Sequence, residues 1–365
     1  MPALRIHAGP LARAHIAQHG LRPQDVGVIP AAAGGPKGLI LGPLDRFVFG
    51  AWLPQASQPV DLIGASIGAW RMATACLEDS ITAFRRLERD YIAQDYEVPP
   101  GRKGPTAEHV SERFGQNLQA FYGGRIGEVL GHPRYRLHIV TSRGRHVLGR
   151  EHRVATPLGY LGAFLANTVH RKAMGAWLER VVFSAPLADR AAPLPFATRD
   201  YRTRQVRLEE GNFMPALQAS CSIPFVLKAI HDIPGAPPGA YWDGGITDYH
   251  LHLDYAPRAA SPIVLYPHFQ RAVVPGWLDK GLKWRHRASS FLDSMVVLAP
   301  DADWVRQLPN GKLPDRKDFP HYGPNLQARM QAWTTAVRAS EQLADEFAAF
   351  VALPPEAQAR QVEAL

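Results

Sequence analysis

Hydrophobic and polar positions change period several times along the chain, and each change marks an element. "DVGVIP" (Asp25–Pro30) is a continuous apolar run of buried-strand type. The glycine turn "AAAGGPKG" (Ala31–Gly38) follows it, and then a Leu-, Ile- and Phe-rich stretch of helical character. "PVDLIGASIGAWRMATACLED" (Pro59–Asp79) repeats the same order of strand, turn and helix. Two such units in succession predict parallel strands covered by helices, so the chain reads as α/β.

Further elements follow by the same reading. Helices are predicted over residues 9–20, 80–97 and 106–122, with a Pro- and Gly-rich loop at Val98–Pro105. "YRLHIVTSRG" (Tyr135–Gly144) and "VVFSAP" (Val181–Pro186) read as strands. Between them, Pro157–Val181 shows apolar residues at helical spacing, with Arg171, Lys172 and Arg180 among them. That segment is a core-packing helix or an amphipathic cap leaning on a lipid interface. Alternation begins again at Ala197, "FMPALQASCSIPFV" (Phe213–Val226) reads as a helix stopping at Pro224, and "PIVLYPHF" (Pro262–Phe269) as a strand. Residues 275–322 are expected to be irregular with short helices, and Asn325–Val351 to form a helix docked on the core. With no repeat, low-complexity tract or clear linker, residues 1–365 are expected to form a single domain. Its motifs fall within about 26–270, and its C-terminal helical extension covers about 325–351.

Composition narrows the class. Hydrophobic residues make up 46% and charged residues 20% of 365, which suits a soluble globular enzyme and not a disordered or fibrous chain. A net charge of +8 favours acidic partners, but the basic residues are spread along the chain and no nucleic-acid motif accompanies them. Nucleic acid is therefore not an expected partner, and no oligomeric state is singled out. Cys76 and Cys221 are too few for a disulfide framework, have no metal-site spacing, and read as buried apolar residues. The N-terminus does not read as a signal peptide, and no apolar run reaches the roughly 18 residues of a spanning helix. A cytoplasmic protein is expected, with peripheral membrane contact left open by the Pro157–Val181 segment.

Candidate chemistry centres on three turns. Gly64-Ala65-Ser66-Ile67-Gly68 fits G-x-S-x-G, in which small residues let a serine sit on a strained turn between strand and helix. A serine nucleophile needs donors for the oxyanion formed at the attacked carbonyl, and Gly34, Gly35 and Lys37 could provide backbone N–H groups, with Gly38 easing entry into the helix. Neither a phosphate-binding G-x-x-x-x-G-K-[ST] nor a dinucleotide G-x-G-x-x-G is present, so no nucleotide cofactor is expected. In "YWDGG", Asp243 ends a strand-like stretch before Gly244 and Gly245. In "TDYHLHLDY", a strand would bring Asp248, His250, His252 and Asp254 to one face. His-x-His is a plausible metal pair, but packing or surface roles suit these residues better, and no metal is expected.

Together these features resemble the patatin-like phospholipase family. Its hallmarks are a glycine-rich oxyanion loop, a G-x-S-x-G elbow shortly after, an A-S-x-x-I-P segment and a distant D-G-[GA]. "ALQASCSIPF" (Ala216–Phe225) matches the third, and the resemblance spans roughly Val26 to Leu253. It implies a three-layer α/β fold with a mainly parallel central sheet flanked by helices. It also implies a Ser-Asp dyad of Ser66 and Asp243, the oxyanion loop at Gly34 and Gly35 with Lys37 in its basic position, no cofactor, and a lipid or other acyl ester as substrate. The chain departs from the family at Ala33, where glycine is usual, and at Ala32, where aspartate is usual; after the D-G-G, Asp248 fits the family's pattern while Tyr249 and His250 do not. Two other readings stay open. One is an α/β-hydrolase with a triad of Ser66, Asp243 and a later histidine such as His268, and the other a catalytically degenerate lipid-binding protein.

Overall fold

An eleven-stranded sheet organises the chain in a computed structural model that describes residues 1–102 and 104–365. Its strands are β1 (Leu4–Ala8), β2 (Val26–Ala31), β3 (Val60–Ala65), β4 (Tyr135–Gly144), β5 (Leu178–Ser184), β6 (Thr203–Arg207), β7 (Ile230–His231), β8 (Ala240–Asp243), β9 (Ile263–Pro267), β10 (Met295–Pro300) and β11 (Val362–Ala364). The path across the sheet is β7-β8-β4-β3-β2-β9-β10-β1-β11, with β5 on the other side of β4 and β6 beyond it. From β4 to β10 every pairing is parallel. β5 and β8 run antiparallel to β4, and β1 antiparallel to β10.

The fold is thus α/β with a mainly parallel central sheet flanked by helices. Every residue of β2 and of β3 is buried, as a parallel strand covered on both faces requires. The helices include α1 (Pro10–His19), α2 (Gly42–Phe47), α3 (Ile67–Ala75), α4 (Ser80–Ile92), α5 (Ala107–Tyr122), α6 (Ile126–Leu130), α7 (Ala155–Val169), α8 (Glu210–Ser220), α9 (Leu326–Ala339) and α10 (Glu341–Val351).

Several expectations need correction. The helix expected over Pro157–Val181 ends at Val169. A short 3-10 turn (Arg171–Ala176) follows, and β5 begins at Leu178, so Arg180 is a strand residue, fully buried against Asp248 and Asp200. Residues 275–322 are irregular apart from short helices and β10, an apolar run hidden between charged, proline-containing flanks. The C-terminal helix breaks at Ser340 into α9 and α10. "TDYHLHLDY" is not a strand. It turns repeatedly, with Leu251 at φ 49°, and only Asp254–Tyr255 is extended.

One register detail positions the site. β5 occupies one edge of β4 from His138 to Gly144, so β3 and β8 must share the other edge. β3 ends with Ala65 opposite Val140, and β8 ends with Asp243 opposite Thr141. The two strands run toward each other and meet end to end along β4, which brings the residue after Ala65 beside Asp243.

Candidate active site

Ser66 occupies the break between β3 and α3 at φ 58° and ψ −130°, a backbone conformation that L-residues avoid and that costs on the order of 1–3 kcal/mol. Neighbouring contacts hold it there. The Ser66 N–H donates to Ser220 Oγ at 3.0 Å, and Ser220 Oγ donates in turn to the Val140 carbonyl at 2.7 Å. Gly68 allows α3 to start against the end of β2, because a Cβ there would fall 1.9 Å from the Ala31 carbonyl oxygen. Below it, the buried Arg71 of α3 grips Asp45 of α2 through two 2.7 Å bonds, tying the serine's helix to the one that follows the glycine loop.

Asp243 is buried at the end of β8. Its Oδ2 accepts from the Ser66 hydroxyl at 2.7 Å, and its Oδ1 accepts from the Gly245 N–H at 2.7 Å. Burial pushes the carboxyl above the ordinary carboxylate range, while the Ser66 hydrogen bond, Arg316, the Gly245 N–H and Lys280 pull it back. Gly244 is confined by the sheet, since a Cβ would lie 2.1 Å from the Val140 carbonyl oxygen. The Asp243 N–H donates to the Ser222 carbonyl at 2.9 Å. "ASCSIP" therefore holds both residues by their amides, Ser66 through the Ser220 side chain and Asp243 through the Ser222 backbone.

Asp248 fastens the turn after Asp243 to the sheet. Its carboxylate receives bonds of 2.7 and 2.6 Å from Arg180, with both side chains fully buried, and a third from Arg171 at 3.2 Å. His250 and His252 turn their Nδ1 atoms to the carbonyls of Ala272 and Val273. Among the described residues no cluster of three or more His, Cys, Asp or Glu could hold a metal ion.

The glycine loop lies alongside. Gly34 precedes a 3-10 helix (Gly35–Leu41), and Gly35 has φ 58°. The amides of Gly34, Gly35 and Ile67, the residue after Ser66, have no hydrogen-bond partner among the described residues. Lys37 belongs to that 3-10 helix and lines the cavity. The Ala33 N–H donates to the Tyr249 carbonyl at 3.0 Å, and the Ala33 methyl fills the space where a Gly245 side chain would collide with it at 2.5 Å. Alanine in place of glycine is thus accommodated by a glycine across the site.

A cavity of about 190 Å³ opens over Ser66 and Asp243. Gly34, Ile223 and Pro224 line it together with Tyr249, Trp277, Lys280 and Arg316. The last three come from the irregular region, where no spacing or motif marks them in sequence. Ile67, too, is named by the elbow only through its position. No histidine lines the cavity among the described residues. His268 is buried and bonded to neither Ser66 nor Asp243. Its Nδ1 meets the Gln270 carbonyl, and burial pushes its pKa down to about 3.

No protein-family model matches the chain, and no curated protein matches it. Among solved structures it is similar to the crystal structure of VipD from Legionella pneumophila, at 14% sequence identity and a TM-score of 0.35, over 94% of this chain and 70% of that one.

Proposed function

We propose that the protein is a serine acyl hydrolase of patatin-like type, cleaving a carboxylic ester of a lipid through an acyl-Ser66 intermediate. The observation that carries this reading is the 2.7 Å hydrogen bond from the Ser66 hydroxyl to the buried Asp243 carboxylate, on a serine held in a strained turn. In the first step the Ser66 hydroxyl proton passes to Asp243 as Oγ attacks the acyl carbonyl. The amides of Gly34, Gly35 and Ile67 receive the developing oxyanion. Collapse of the tetrahedral species expels the alcohol, which takes the proton from Asp243. Water then attacks the acyl-enzyme while Asp243 accepts its proton, and collapse returns that proton to Ser66 Oγ. The raised pKa of Asp243 makes it a better base than a solvated carboxylate.

A lipid substrate is supported by the outer face of α7. Leu158, Leu161 and Leu165 follow one another at helical spacing and are 62%, 54% and 56% exposed, with Val154 and Val169 continuing the stripe beyond either end. The opposite face of α7 carries Tyr160 and Ala163 into the core. Tyr160 meets Phe225 edge-on at 5.9 Å, and Phe225, itself exposed, follows the cavity residue Pro224. The helix that carries the stripe therefore packs, through Tyr160, against the segment that lines the cavity at Ile223 and Pro224, and the exposed Arg153 and Lys172 flank it in sequence. This is the arrangement of a helix that rests in an anionic lipid surface. Among the described residues no helix is long and apolar enough to cross a membrane.

A fluorophosphonate probe tests the reading. Peptide mapping is expected to find the adduct on Ser66, with labelling slowed by orders of magnitude in Asp243→Asn; a wild-type protein that takes no label at Ser66 would count against it.

A further inference from the structure

Lys37, Lys280, Arg316 and Lys317 line the same small cavity and come from three separate segments of the chain. None of their side chains forms an ion pair among the described residues. The acids lining the cavity are Asp243 and Asp315. Asp243 is engaged by Ser66 and Gly245, and Asp315 is 3.0 Å from Lys312. Four cations thus face two carboxylates, one of them held by Lys312, and positive charge around the site is in excess among the described residues.

These cations are placed rather than free to swing. The Lys280 ammonium lies 3.9 Å from the centre of the Tyr249 ring and 5.7 Å from that of Trp277, both cavity residues. Lys37 Nζ lies 5.3 Å from the centre of the Phe269 ring. The Arg316 guanidinium covers Gly35, where a Cβ would fall 3.1 Å from its Nε. Although Lys280 is exposed along its length, loss of solvation at the ammonium, with repulsion from Arg316 and Lys37, pushes its pKa down to about 8. A group of like charges held this close costs stability unless an anion joins it.

We propose that the cavity selects acyl esters bearing a phosphate or carboxylate group close to the scissile carbonyl, with Lys280 and Arg316 as the residues that bind the anion. The inference rests on the hydrolase reading and extends it to substrate choice. Cavity size sets the closeness: about 190 Å³ is below the roughly 300–1,000 Å³ of common ligand pockets, so it accepts the ester and its near neighbours while a long acyl chain lies outside. Lys37, further back against Phe269, adds field without direct contact.

The test compares matched esters below their aggregation concentrations. One pair is decanoyl-glycerophosphate against monodecanoylglycerol, and the other is the p-nitrophenyl monoester of glutarate against p-nitrophenyl butyrate. Wild-type kcat/KM is expected to favour the anionic member of at least one pair by roughly tenfold or more, as a charge-assisted hydrogen bond provides. The phosphate and carboxylate arms tell the two anion sources apart. Lys280→Met and Arg316→Gln should lower kcat/KM for the anionic ester far more than for its neutral partner, chiefly through KM, and Lys280→Arg should restore the preference. Without any variant, glycerophosphate or glutarate should compete with p-nitrophenyl butyrate on the wild type. Equal turnover of both members, a neutral preference, or absence of competition overturns the anion site alone. Absence of Ser66-dependent turnover of every ester overturns the hydrolase reading and this inference with it.

Discussion

At the scale of single residues, Ser66 and Asp243 each have a stability signature apart from activity. Ser66 sits at φ 58°, so Ser66→Gly should abolish turnover yet raise the thermal midpoint by relief of backbone strain, of order 1 kcal/mol after glycine's own entropy cost. Ser66→Ala should abolish turnover without that gain, and differential scanning calorimetry of the two variants checks the contrast. Asp243 has a native-state pKa raised by burial. A carboxyl whose pKa rises on folding binds its proton more tightly in the native state, so its contribution to stability is greatest at low pH and falls as pH climbs from the ordinary carboxylate pKa through the raised one. Asp243→Asn should remove that loss, leaving an inactive protein at least as stable at neutral pH. Activity runs the other way. It should appear as pH rises through the raised pKa of Asp243, at a higher pH than an ordinary carboxylate would give, which a pH profile of kcat/KM on a neutral ester measures. For anionic esters a second limb should appear, a rise in KM above about pH 8 as Lys280 loses its proton. The groups that face Lys280 are Tyr249, Trp277, Arg316, Lys37 and Asp243.

At the scale of elements, the meeting of β3 and β8 along β4 builds the site, and two supports hold the meeting point. Ser220 links the Ser66 amide to β4, so Ser220→Ala is expected to lower kcat by roughly tenfold with KM little changed, as loss of one buried bond of about 1–3 kcal/mol would, with Ser220→Thr restoring part of it. Asp248 and Arg180 form a fully buried pair, and Asp248→Asn leaves Arg180 with less compensation, for a loss of up to about 3–5 kcal/mol that urea unfolding reads. Much of this was legible in the sequence. The sequence pattern of β4 has the bounds of the strand itself, and that of α5 agrees to within a residue, because their periodicity is strong and their ends are capped or punctuated. The strand-turn-helix units around the glycine loop and the elbow stood out for the same reason. What escaped depends on distant partners. Arg180 stands at the end of a stretch whose apolar residues recur at helical spacing, and its burial in β5 depends on the acidic residues Asp200 and Asp248, which are distant in sequence. β10 and the cavity residues Trp277, Lys280 and Arg316 lay in a stretch whose prolines and charges mask any period. Their association with Ser66 is a product of topology.

At the scale of the whole molecule, the apolar stripe of α7 and the net charge of +8 bear on where the protein works. Leu158→Asp with Leu165→Asp should weaken binding to vesicles containing anionic lipid, because both residues are exposed and leave the core intact, while turnover of a soluble monomeric ester stays at the wild-type level. Vesicle sedimentation beside a soluble-ester assay separates the two effects. Unchanged sedimentation would remove the membrane role of α7 and leave the catalytic account standing. The central claim is that a serine and an aspartate, with no histidine between them, hydrolyse an ester. Its most direct measurement is the steady-state hydrolysis of a short p-nitrophenyl ester by wild type, Ser66→Ala, Asp243→Asn and His268→Ala. Turnover is expected from wild type and His268→Ala, with loss of roughly a thousandfold or more in the other two variants. Turnover that survives in Ser66→Ala or Asp243→Asn, or that disappears in a folded His268→Ala, would contradict it.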